Sequence, residues 1–150
     1  MRVGAYDPKN LPEDIYNLYL QIAVIPCVDF VIVSDGKVLL ARRNIPPNKG
    51  MWHLPGGRAI KGERLVDTVT RKAREETGLE VEIVKYLGYF DYPESDPRGH
   101  FLSHAYLLKP VGGELRNNEE NSELKFFDMA PKEIGFLHHK QILKATGFYD

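Results

Sequence analysis

Between residues 56 and 78 the chain sets a glycine pair, Gly56-Gly57, ahead of three carboxylates, Glu63, Glu75 and Glu76. Carboxylate oxygens suit a hard divalent cation, and such a cation neutralises phosphate oxygens and activates water for hydrolysis. The glycines add backbone that can approach a metal or a phosphate with no Cβ in the way. On a helix turning about 100° per residue, Leu65, Val66, Val69 and Ala73 make one apolar arc, and Glu76 falls inside it. A carboxylate aimed at a protein interior is costly unless it meets a metal, a cation or strong donors. Glu76 therefore either meets a metal or substrate cation, or curls out to solvent at the helix end or pairs with Arg71 or Arg74. No Gly-Lys-Ser/Thr follows the glycine pair, and no Gly-x-Gly-x-x-Gly is present, so the phosphate loops of P-loop and dinucleotide folds are excluded.

The run Gly57-x5-Glu63-x7-Arg71-Lys72-Ala73-Arg74-Glu75-Glu76-Thr77-Gly78-Leu79 resembles the Nudix box, Gly-x5-Glu-x7-Arg-Glu-hydrophobic-x-Glu-Glu-x-Gly-hydrophobic. Every fixed position matches except one, where Lys72 replaces a glutamate. Residues 47–57, PNKGMWHLPGG, also resemble the family's approach to its helix. The resemblance implies an α/β/α sandwich with a mixed β-sheet, Mg2+ or Mn2+ as cofactor, and hydrolysis of a nucleoside diphosphate linked to another moiety. It makes Glu76 the principal metal ligand and Glu75 a second ligand or a carboxylate acting through water on the metal. The carbonyl of Gly56 or Gly57 joins them, and Arg71 and Glu63 orient loop and helix. Lys72 stands where the family places a metal carboxylate, so fewer tightly held metals are expected, with the ammonium pairing with Glu76 or another carboxylate or contacting phosphate. Residues 118–126 resemble the loop that supplies a late metal ligand or base; Glu120 is the preferred candidate and Glu123 its competitor. Retention of Glu63, Arg71, Glu75 and Glu76 favours an enzyme over a nucleotide-binding domain that has lost catalysis.

Weaker signals bear on substrate. Residues 28–33, 39–44 and 55–58 are similar to GDP-mannose mannosyl hydrolases, which also lack the glutamate at the Lys72 position. That similarity implies Asp29, Arg43 and Arg58 around diphosphate and sugar, with GDP-mannose as the leading nucleotide sugar. The residue types agree: Asp29 in an apolar strand needs a partner, either a sugar hydroxyl or base or a local cap or ion pair, and guanidiniums match diphosphate oxygens. Two departures stand against it. Asn121 occupies the position of that branch's histidine base, and Glu75 is kept where the branch loses it. The alternative is an ADP-ribose or other NDP-sugar pyrophosphatase attacked at phosphorus. Residues 96–100, Asp-Pro-Arg-Gly-His, resemble a loop of ADP-ribose-cleaving members and offer Arg98 and His100, the latter titrating near neutrality. His138 and His139 read as structural or exposed, Trp52 as core, and Cys27 as a small buried hydrophobe.

The elements that must position these groups follow from the pattern of the chain. Residues 1–16 are expected to form an extended or loosely packed arm, and residues 17–150 a single Nudix domain. Residues 17–33 read as β-like, broken at Pro26, with a hairpin turn at Ser34-Asp35-Gly36 and a return strand at 37–41. Residues 51–54, 80–89, 102–108 and 124–127 read as strands. Residues 63–77 read as a helix stopped by Gly78, and 131–146 contain a closing helix. The formal net charge of -1 argues against a broad nucleic-acid face. The longest apolar stretch, 22–33, is too short to span a bilayer. One cysteine and no secretion-type leader point to the cytoplasm, with a small-molecule substrate and no membrane or nucleic-acid partner. A homodimer through the arm up to Gln21 is an open arrangement.

Overall fold

The computed structural model describes residues 6–150, so residues 1–5 of the expected arm lie outside the described residues. The elements run α1 (Glu13–Ile22), β1 (Val24–Ser34), β2 (Lys37–Arg43), β3 (Trp52–His53), β4 (Gly56–Arg58), α2 (Leu65–Thr77), β5 (Leu79–Asp91), β6 (His100–Gly113), β7 (Asn121–Phe127) and α3 (Leu137–Ala145). The sheet order is β3-β2-β1-β6-β5, with β4 paired to β1 and β7 to β2. It is mixed, because β1 and β6 run parallel while the other pairings are antiparallel.

Central strand β1 has two buried faces, which is why it reads as a continuous apolar run instead of an alternating one. Val28, Phe30 and Ile32 point into one core with Val69 and Ala73 of α2. Val31 joins Ile142 and Leu143 of α3 in the other. Helices therefore cover both faces and make the α/β/α sandwich. The turn at residues 34–37 is the expected one: Asp35 and Gly36 both have positive φ, as a two-residue hairpin loop requires.

Two expectations give way. The segment read as β-like from residue 17 begins as helix α1, with Ile15, Tyr16, Tyr19 and Leu20 partly buried along one side. Their spacing is helical, and Glu13 and Asp14 in the first turn favour a helix start through the dipole. Pro26 does not break β1. Its carbonyl accepts from Ala59 N–H, so its missing donor points the same way, off the ladder with β6. Among the described residues no helix is long and apolar enough to cross a membrane.

Helix α2 ends as expected, with Gly78 left-handed at φ 78° and its N–H bonded to Arg74 O. Val66, assigned to the apolar arc, is exposed instead, while Thr68 is buried. The buried face is thus rotated so that it centres on the direction of Glu76.

Candidate active site

The box residues form a continuous chain of charge-assisted contacts. Arg71 bridges two carboxylates, with Nε 2.8 Å from Glu63 Oε2 and Nη1 3.1 Å from Glu75 Oε1. Thr68 Oγ1 donates to Glu63 at 2.7 Å, tying the loop ahead of α2 to its first turn. Lys72 Nζ lies 3.3 Å from Glu75 Oε2 and 2.8 Å from Glu76 Oε1. Asn118 Nδ2 donates to the other oxygen of Glu76 at 2.5 Å. Burial would lower the Lys72 amine, but Glu76 and Glu75 outweigh it and hold the group above its ordinary range, so it remains an ammonium.

Gly56 is required sterically, and Gly57 has the flexible Lys72 side chain packed against it. A Cβ on Gly56 would collide with the Val28 carbonyl and approach Asp29 Oδ1 to 2.7 Å, and one on Gly57 would collide with the Lys72 side chain. The bend is therefore packed between the strand floor and the helix. Glu76, Lys72, Gly56 and Gly57 line a cavity of about 260 Å³.

Asp29 is the floor of that cavity. Its Oδ2 accepts from Ser103 Oγ at 2.5 Å and its Oδ1 faces His139 Nε2 at 3.0 Å, while His138 Nε2 stands 3.5 Å from Oδ2. Leu54 N–H donates to His139 Nδ1 at 3.0 Å, so the neutral ring carries its proton on Nε2 and gives it to Asp29. Burial alone would raise the Asp29 carboxyl; His139 and His138 outweigh it and hold the group well below the usual carboxylate range. Both histidines are buried, which rules out the exposed reading, and their ligating atoms lie with that of Asp29 within 4.8 Å of one another, a spacing compatible with a divalent cation. The sequence marked Asp29 as needing a partner but not His138 and His139 as that partner, because Asp29 comes from β1 and the histidines from α3, more than a hundred residues apart.

Next to this floor, His53 stacks on His139 at 5.9 Å and contacts the Leu54 carbonyl and Asn121 Oδ1 at 2.8 and 3.0 Å. Burial, reinforced by His139, pushes its pKa down to about 4. The unfolded chain, with an ordinary histidine near 6.5, binds more protons between these values. Stability contributed by neutral His53 is thus complete at pH 7 and lost as pH falls from about 6.5 to about 4, a change of about 3 kcal/mol. Urea unfolding at pH 7 and pH 4.5 should show the loss, and His53→Phe should flatten it.

The walls carry cations and rings. Arg43 is buried, donates from Nε to Pro47 O at 2.6 Å, and lies 5.4 Å over the Phe136 ring. Arg98 forms a bidentate pair with Asp96 and sits over Phe101 and Phe136 at 5.7 and 6.0 Å. Arg58 donates to Pro8 O at 2.8 Å and lies over Tyr16 and Tyr19. All three arginines line the cavity, as do Tyr16, Phe101, Phe136 and Glu120. Glu123 lies instead on β7, opposite Arg42. His100 does not line the cavity and pairs with Asp91 at 2.7 Å. Glu75 faces a neighbouring cavity. Trp52 packs edge-on against Phe127 in the α3-side core, as a core residue should. Cys27 is buried, and desolvation raises its thiol well above the ordinary range.

The donor set fits a hard divalent cation of the Mg2+ or Mn2+ kind. Glu76 is a buried carboxylate whose present partners, Lys72 and Asn118, are both donors, and Gly56 and Gly57 bring backbone beside it without a Cβ. Lys72 occupies part of the same charge environment. Replacing Lys72→Glu should raise the number of Mn2+ ions bound per chain, counted by electron paramagnetic resonance of free against total metal; an unchanged count would contradict this role.

Residues 25–145 match the NUDIX domain model. The chain belongs to the Nudix family. It is similar to a Methanocaldococcus jannaschii protein named ADP-ribose pyrophosphatase, 42% identical over 129 residues, covering 85% of this chain and 75% of the relative. It is also similar to the low-salt glycan biosynthesis protein Agl8 of Haloferax volcanii, 35% identical over 125 residues, covering 79% of this chain and 80% of that one. Among solved structures, a MutT NUDIX hydrolase from Burkholderia pseudomallei superposes with a TM-score of 0.74 at 28% identity, covering 82% of this chain and 98% of the other. This Nudix hydrolase thus carries the family's catalytic helix with one box carboxylate exchanged for an ammonium.

Proposed function

We propose that this Nudix hydrolase cleaves ADP-ribose or a closely related nucleoside diphosphate sugar by attack at phosphorus, releasing a nucleoside monophosphate and a sugar phosphate. The observation that carries the reading is the 42% identity to a protein named ADP-ribose pyrophosphatase. GDP-mannose has less support. Asn121, at the position of the mannosyl hydrolase base, is buried between His53 and Asn118, and its neutral amide cannot take up a proton as a general base.

Each group has a role consistent with its placement. Glu76, Glu75 and the carbonyl of Gly56 or Gly57 would hold the divalent cation, which when bound neutralises diphosphate charge and activates water. Asn118 orients Glu76, and Arg71 with Glu63 fixes the helix against its loop. Arg43, Arg58 and Arg98 present guanidinium groups suited to diphosphate oxygens, while Lys72 adds a compact positive charge beside them. Tyr16, Phe101 and Phe136 offer ring faces to base or sugar. The Asp29 and histidine group can meet ribose hydroxyls with both acceptors and donors. Glu120, on an exposed loop bordering the cavity, is available to accept a proton.

The test is turnover of ADP-ribose, GDP-mannose, other NDP-sugars and nucleoside triphosphates with Mg2+. The highest kcat/KM is expected for ADP-ribose or a near relative. Preference for GDP-mannose would restore the mannosyl reading, and absence of turnover on all of them would remove the catalytic one.

A further inference from the structure

A second cavity, of about 320 Å³, opens beside α2 and is lined by Lys9, Asn10, Arg58, Ile60, Arg71, Lys72 and Glu75. It shares Arg58 and Lys72 with the catalytic cavity, so these two side chains form the wall between them. Four of its lining residues are cations and one is a carboxylate, and no aromatic ring faces it. That composition suits a phosphate carrying hydroxyl groups and offers a base nothing to stack on.

The segment that closes this cavity is built in place. Asp7 accepts from Lys9 N–H at 3.0 Å and from Asn10 Nδ2 at 3.1 Å, and the Pro8 carbonyl accepts from Arg58 Nη2. Arg58, Arg71 and Lys72 are each engaged by a carbonyl or a carboxylate. Among the described residues Lys9 has no ion pair, which leaves it as the cation this cavity holds for an incoming anion.

Resting on the phosphorus-attack reading above, we infer that the second cavity binds the phosphate of the sugar-phosphate product after it has been released by cleavage, with Lys9 as its dedicated cation. Binding here would make the enzyme sensitive to phosphomonoester products.

Calorimetric titration with ribose 5-phosphate and with inorganic phosphate tests this on the full chain, the Lys9→Glu variant and the Lys9→Arg variant. Lys9→Glu should weaken both ligands by about tenfold or more, the scale of one charge-assisted hydrogen bond. Lys9→Arg should retain affinity. Product inhibition by ribose 5-phosphate should weaken in parallel in Lys9→Glu. Equal affinity in wild type and Lys9→Glu, or no binding by the wild type, would overturn the inference. Lys9-dependent phosphate binding with no turnover of any nucleotide sugar would uphold the anion site and overturn only the reaction.

Discussion

Glu76→Gln should reduce kcat/KM by about 10³-fold or more, several kcal/mol of transition-state stabilisation. The substitution keeps the side chain's volume and removes its charge. Glu76 is the carboxylate that the helix buries against the floor, with Lys72 and Asn118 bonded to its two oxygens. The neutral amide can no longer act as an anionic ligand. Its NH₂ group would face the donors of Lys72 or Asn118 in either orientation. The loss should appear in kcat at saturating substrate and in the Mn2+ affinity measured by electron paramagnetic resonance. Glu75→Gln should do less, because Glu75 is half exposed and turned toward the neighbouring cavity. Near-normal turnover of Glu76→Gln with an unchanged metal response would contradict the assignment.

Asp29→Ala should destabilise the fold by about 3 to 5 kcal/mol, the scale for removing one partner from a buried charged group. The carboxylate is buried and takes the protons of Ser103 Oγ and His139 Nε2. Its removal orphans both donors and leaves a void between β1 and α3. For a chain of this length the melting temperature should fall by roughly 10 °C. Asp29→Asn, which keeps an acceptor, should lose less. Urea denaturation at pH 7 measures both, and a loss below about 1 kcal/mol for the alanine variant would show that the network contributes little.

How much of this was legible before folding depends on the range over which each signal acts. Helix α2, its stop at Gly78 and the inward position of Glu76 were readable because helical periodicity and a glycine cap are local properties. The hairpin at Asp35-Gly36 was readable for the same reason. Helix α1 was misread because Tyr19 and Ile22 belong to residue types that also suit strands, and the helical spacing of Ile15, Tyr16, Tyr19 and Leu20 is short. Pro26 was misread because the effect of its missing N–H depends on which neighbour lies on that side. Asp29 could be recognised as a residue in need of a partner, yet the partner could not be named, since His138 and His139 reach it only once α3 closes over β1. Asn118 carried no signal either: an asparagine in an acidic loop reads as solvated until β7 pairs with β2 and brings the loop over Glu76.

The reaction itself is tested most directly by carrying out ADP-ribose hydrolysis in ¹⁸O-labelled water with Mg2+ and locating the label by mass spectrometry. The account predicts AMP and ribose 5-phosphate as products, with one ¹⁸O on a phosphate of one of them and none on a sugar carbon. Release of ADP with ¹⁸O on the ribose, or no hydrolysis of ADP-ribose or any other nucleoside diphosphate sugar, would contradict it.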